Sequence, residues 1–160
     1  MELDDQVMLS SYDDLLSFLR RQGAAVAEVP GRSSVELPTY SPPVEGILGI
    51  LWHPDLQLVQ LVHPLPFKVQ PERIPAIEHA LLLINHALIF PGFGFNHAKA
   101  IAYFRLVISR QLNGGISEEE AQRAISTVMT TLHDFWQPLR AVMEEGASPD
   151  GVLAASGQIQ

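Results

Sequence analysis

The chain has 160 residues, of which 47% are apolar, and it carries a net charge of −8 from 18 acidic against 10 basic side chains, with no cysteine. Such a length suits one domain with a sizeable core, and the composition is that of a globular chain. The acidic balance sets the long-range field against phosphate backbones and anionic lipid, arguing against nucleic-acid and membrane partners, and the lack of cysteine excludes disulfides, thiolate chemistry and Cys-ligated zinc.

Apolar runs such as Ala80 to Ile84 are far too short to span a bilayer. The start, Met1 to Asp5, is acidic where a secretory signal would be basic, so a cytoplasmic location is expected.

In chain order, residues 1–9 read as a loose start. Ser11 can cap a helix over 11–22, with Asp14 at its third position, a stripe of Leu15, Leu16, Phe18 and Leu19, and Gly23 as its end. Strands over 24–29 and 34–37 flank the turn Pro30-Gly31-Arg32-Ser33. Thr39 to Pro43 reads as a loop, because two prolines remove ladder donors. Strands over 44–52 and 56–63 follow, joined at His53-Pro54-Asp55. Apolar residues occupy both alternations of Ile47 to Trp52, which predicts a strand that is central or covered on both faces.

A second helix begins near Pro71 to Pro75. Ile74, Ile77, Leu81, Ile84 and Leu88 form its stripe, and Ala80, Leu82, Leu83 and Ala87 widen it. A helix apolar nearly all round is covered on more than one side, and one cover can be another subunit. Leu88 to Phe95 and Lys99 to Ser109 read as a hairpin about Asn96-His97, with Phe104, Leu106 and Ile108 on one face of its second strand.

The strongest pattern is Ser117 to Glu145. Ser117-Glu118-Glu119-Glu120 has the form of a capping box, and its acids suit the positive end of a helix dipole. Apolar residues recur from Ala121 through Val128, Leu132, Phe135, Trp136 and Leu139 to Met143, which is one wide helical face. Pro138 removes one amide and predicts a kink, and Gly146 suits the position just past the helix end. Residues 1–146 then form a single domain and 147–160 a flexible tail. The expected class is α+β: an antiparallel sheet of five to six strands with three helices, in the order α-β-β-β-(β)-α-β-β-α.

Pro71-Glu72-Arg73-Ile74-Pro75 leading to Ile84-Asn85, Phe93 to Phe95, the strand Ala102 to Ser109, Gly115-Ile116-Ser117-Glu118-Glu119 and Phe135-Trp136-Gln137-Pro138-Leu139 together resemble the YbjN-type bacterial family. That family shares the fold of type III secretion chaperones, and the resemblance covers roughly Leu15 to Val142. It implies a sheet carrying helices, frequently a dimer, and no catalytic residues. The family commonly has three strands before its middle helix, whereas this chain shows up to four.

The chemical motifs are weak. His79 and His86 lie seven apart on the middle helix, about 10 Å along one line, whereas ligands of one ion normally sit three or four apart. His53 and His63 stand beside prolines at strand ends, where a histidine usually serves a turn. Pro91-Gly92-Phe93-Gly94-Phe95 lacks the third glycine of a nucleotide loop and enters a strand. No serine stands in a nucleophile elbow. The expectation is therefore a non-catalytic protein-binding module, chaperone-like or regulatory, that needs no cofactor or metal. It would form a homodimer and meet its protein partner through Ile77, Leu82, Leu83, Phe90, Phe93 and Phe95. The alternatives are a small-molecule or metal-dependent enzyme using His79 and His86, and an assembly factor of a larger complex.

Overall fold

Residues 6–110 and 115–156 are described by a computed structural model. The chain enters through β1 (Met8–Leu9) and turns into α1 (Tyr12–Arg21). Ser11 and Asp14 close a reciprocal capping box there, and Leu15, Leu16, Phe18 and Leu19 are buried. Four strands follow: β2 (Ala27–Glu28), β3 (Ser34–Ser41), β4 (Val44–His53) and β5 (Leu58–Pro64). After a 3-10 turn at Pro71–Arg73 come α2 (Ile74–Ala87), β6 (Phe93–Asn96), β7 (Ile101–Ser109), β8 (Ile116–Ser117) and α3 (Glu118–Glu144). The main sheet is antiparallel throughout, in the order β2-β3-β4-β5-β7-β6, while β1 pairs with β8 in a separate ribbon.

The alternation of each strand fixes which side of the sheet holds the core. Val35, Leu37, Leu48, Ile50, Trp52, Val59, Leu61, His63, Phe104 and Ala102 point one way and are buried. α3 lies across β4, β5 and β7 on that side, and α2 packs against both α3 and β6. The apolar face read from the sequence of α3 is the buried one, from Ala121 to Met143, and the helix runs unbroken through Pro138. Its first turn has the capping box in both directions: Ser117 N–H donates to the Glu120 carboxylate at 2.7 Å, and Glu120 N–H donates to the Ser117 hydroxyl at 3.0 Å. Gly146 follows the last turn at φ +73°, where a side chain would be strained.

The α+β class and the antiparallel sheet, here of six strands, are as the sequence pattern predicts, and four strands of the main sheet do precede the middle helix. Several local expectations are corrected. Thr39 to Ser41 is not loop but the end of β3, and Pro42-Pro43 form the turn itself. Pro38 is tolerated within the strand because β2 pairs only with Val35 and Glu36, which leaves the rest of β3 as an edge. Leu88 to Pro91 is not strand: β6 starts only at Phe93, and its turn to β7 spans 97–100. β4 is central, one of the two outcomes its pattern allowed, and its second face, with Ile47 and Leu51, is open among the described residues.

The expected flexible tail at 147–160 is also corrected over its described part. Pro149–Gly151 makes a 3-10 turn and Val152–Ala155 a fourth short helix, α4. Val152 is 2% exposed, seated where α2 and α3 meet α4. Arg73 holds the approach by donating to the carbonyls of Val142, at 2.8 Å, and Ala147, at 2.6 Å. The small, polar composition of this stretch hid the fact that one well-placed valine anchors it.

Candidate protein-binding surface

The middle helix decides which of the expected contact residues can meet a partner. Ile77, Ala80, Leu81 and Ile84 follow the three-four spacing of one helical face and are buried in the chain's own core. Leu82 stands on the opposite side and is 67% exposed. Leu83, between the two, is half-buried against the core. Thus Ile77, at 0% exposure, is corrected from a surface residue to a core residue. Phe93 is corrected likewise, at 6%: its ring meets Phe104 at 4.9 Å and Phe135 at 6.1 Å, both edge-on. Phe95 packs partly on the core and edge-on to the His97 ring at 5.0 Å.

The segment from α2 to β6 carries the rest. Asn85 stitches it to the helix: its side-chain amide donates to the Phe93 carbonyl at 2.8 Å, and its oxygen accepts from Phe93 N–H at 2.9 Å and Gly92 N–H at 3.2 Å. Gly92 passes so near β7 that a Cβ on it would sit 1.9 Å from the Arg105 carbonyl oxygen, so no other residue fits. With both ends of the segment held, Ile89 and Phe90 are pushed outward, 89% and 61% exposed. Leu82, Ile89 and Phe90 are therefore the free apolar side chains of this region. Ile89 escaped the sequence reading because Leu88 to Phe95 looked like a continuous strand.

Below Phe90 opens a groove of about 200 Å³ between β7 and the first half of α3. Leu106, Ile108, Ile116, Ala124 and Thr127 line it, with Glu120 and Arg123 at its polar side. The open face of the sheet carries further apolar groups, namely Tyr40, Ile47 and Val107, but Glu36, Glu45 and Arg105 are interspersed among them.

The histidines do not converge. His79 Nε2 meets the Asp150 carboxylate at 3.0 Å and so ties α2 to the C-terminal segment. His97 Nε2 meets Glu78 at 2.6 Å and ties the β6–β7 turn to the same helix. His86 is exposed. Among the described residues no group of three His, Cys, Asp or Glu side chains is placed to hold a metal ion.

His63 is the exception in its surroundings, since it is fully buried. Its Nδ1 lies 2.8 Å from the Pro64 carbonyl, which can only accept, so Nδ1 carries the proton. Nε2 then accepts from the Thr39 hydroxyl at 2.8 Å. Burial holds its pKa below the ordinary value of 6.5, against the pull of the carbonyl bond, so the ring is neutral. Trp136 covers it edge-on at 6.0 Å. Gly46, at φ +137°, leaves room for it, because a Cβ there would stand 3.0 Å from the His63 ring. The strand-end position next to a proline suggested a turn residue; the structure makes it a core residue with both ring nitrogens satisfied.

A family model described as "Putative bacterial sensory transduction regulator", YbjN, matches residues 45–141, from the start of β4 to the last turns of α3. The chain belongs to the YbjN family. The crystal structure of YbjN from E. coli superposes with a TM-score of 0.60 at 12% identity, covering 88% of this chain and 94% of that one. A chain from the HopA1-SchA chaperone-effector complex superposes with a TM-score of 0.50 at 14% identity, covering 76% and 91%. The chain thus has the fold of YbjN, which is type III secretion chaperone-like. No curated protein matches the chain in sequence. No helix of the described residues is long and apolar enough to cross a membrane.

Proposed function

We propose that this YbjN-family chain is a non-catalytic protein-binding module of the cytoplasm, chaperone-like or regulatory, which pairs with a second copy of itself. The observation that carries this reading is the exposed apolar trio of Leu82, on the outer face of α2, and Ile89 and Phe90, held outward by the Asn85 stitch. Scattered single apolar residues on a surface need no explanation, but three from one helix and the loop that follows it leave contact area for another protein. The likeness in fold to a chain of a chaperone-effector complex supports the same reading. The family's regulator description is compatible with it.

The test separates the two contacts. Affinity capture from the native cell is run with the wild-type chain and with Leu82→Glu, and the mass of each is followed by sedimentation. A wild-type dimer that Leu82→Glu turns into a folded monomer supports pairing through α2. A monomer at high concentration that captures no protein sinks the reading. The enzyme alternative on His79 and His86 needs the two side chains to share one site, whereas His79 is paired with Asp150.

A further inference from the structure

β7 is longer than the strand beside it. β6 pairs only with Ile101 to Phe104, and Arg105 N–H adds one bond to the Gly92 carbonyl at 2.9 Å. The helix α2 lies immediately upstream, so the chain leaves the sheet at Pro91, whose nitrogen has no proton to offer a ladder. The remainder of β7, from Leu106 to Ser109, has β5 on one side and no described strand on the other.

The direction of its free groups follows from three bonds. The Ala102 carbonyl accepts from Leu65 and Arg110 N–H donates to Gln57, both on the β5 side, whereas Arg105 N–H points to the β6 side. Backbone groups alternate along a strand, so Val107 and Ser109 turn their N–H and C=O groups to the open edge. Beside this edge, on the inner side of the sheet, lies the groove lined by Phe90, Leu106, Ile108, Ala124 and Thr127.

We infer that this edge and groove form a docking slot for an extended segment of another polypeptide, added antiparallel to β7. The inference rests on the protein-binding reading and gives it a site and a ligand class. An open strand edge is a template for a strand and for no other backbone shape. The residue opposite Val107 exchanges two main-chain bonds with it and faces the open side of the sheet. The residues opposite Leu106 and Ile108 face the groove, so the segment carries apolar side chains at alternate positions. At about 200 Å³ the groove is smaller than the pockets that enclose drug-sized ligands, which suits side chains rather than a separate molecule. Glu120 and Arg123 are the charged lining residues, and Glu119 engages Arg123, which leaves the charge on the groove's polar side acidic. Basic residues flanking the apolar pair complement that charge.

The probe is a set of synthetic peptides, Lys-Φ-Thr-Φ-Thr-Lys, in which Φ is Leu, Val, Ile or Phe, titrated into the isotope-labelled full chain. Shifts and slowed exchange at the Val107 and Ser109 amides are expected. Val107→Pro removes the edge-facing donor while leaving the β5 ladder, a position where an edge strand accepts proline. It should weaken the best peptide at least tenfold with an unchanged melting temperature. Thr127→Arg fills the groove from α3 without altering β7, and serves if the proline variant misfolds. Peptides that bind both variants as well as wild type, with shifts elsewhere, overturn the slot but leave the protein-binding reading intact. A wild-type dimer that Val107→Pro dissociates shows a second copy to be the occupant, and overturns the inference. Binding by none of the peptides overturns it too, while capture through Leu82 remains a separate result.

Discussion

Removing Trp136 tests whether α3 seals the sheet. The indole is buried, edge-on to the Phe67 ring at 4.9 Å and to His63 at 6.0 Å. Trp136→Ala removes a large core side chain and leaves a cavity, which costs about 3–5 kcal/mol. The aromatic pair with Phe67 accounts for about 0.5–1.5 kcal/mol of that sum. For a chain of this size each kcal/mol lowers the melting temperature by about 2–4 °C, so a fall of roughly 6–20 °C is expected in a thermal scan. Domains of this kind have about 5–15 kcal/mol in all, so the variant should still fold in the cold. Trp136→Phe keeps an edge for Phe67 and should lose less than half as much. A second readout is specific to the site: with the indole gone, water reaches His63, and its titration by NMR should move up toward 6.5. A loss below about 1 kcal/mol, with His63 unmoved, would refute the claim that this end of α3 closes the core.

Acid should destabilise the fold through His63. Its folded pKa is lowered by burial, so the unfolded chain takes up the proton first as pH falls. The stability it contributes is complete above its unfolded value of 6.5 and is lost below it; urea midpoints should drop between about pH 7.5 and 5.5, and His63→Gln should flatten the drop. Val152→Asp should release α4 at a cost of roughly 1.5–3 kcal/mol, visible as faster amide exchange along the side of α2 that α4 covers. Ser117→Ala breaks the capping box of α3 and should cost about 1 kcal/mol in chemical denaturation.

Where periodicity was long, the sequence was enough. The stripe from Ala121 to Met143, the capping boxes at Ser11 and Ser117 and the paired strands around His53 to Leu58 are all local patterns with one physical solution. Where the deciding fact is tertiary, the sequence misled. Ile47 and Leu51 look like interior residues, but every helix lies on the other side of β4. Ile77 and Leu82 are both apolar on one helix, and only the position of α3 determines which is covered. Phe93 and Phe90 differ in the same way: the first faces Phe104 and Phe135, while the second belongs to a stretch that has left the sheet. The burial of His63 could not be foreseen either, because it needs Thr39 and Gly46, opposite each other in the β3–β4 hairpin, and the distant Trp136 of α3 to close around one ring.

The pairing of β1 with β8 reaches beyond its two pairs of residues. Leu9 lies opposite Ile116, at the doorstep of the longest helix, so the opening of the polypeptide is clasped to a point more than a hundred positions downstream. The stretch common to the family begins only at Glu45. A fragment subcloned from there would lose α1 and β3 together, stripping cover from Ile50 and leaving β4 as a bare, greasy margin. Such a fragment should clump rather than fold, and the smallest unit fit for expression starts ahead of Met8.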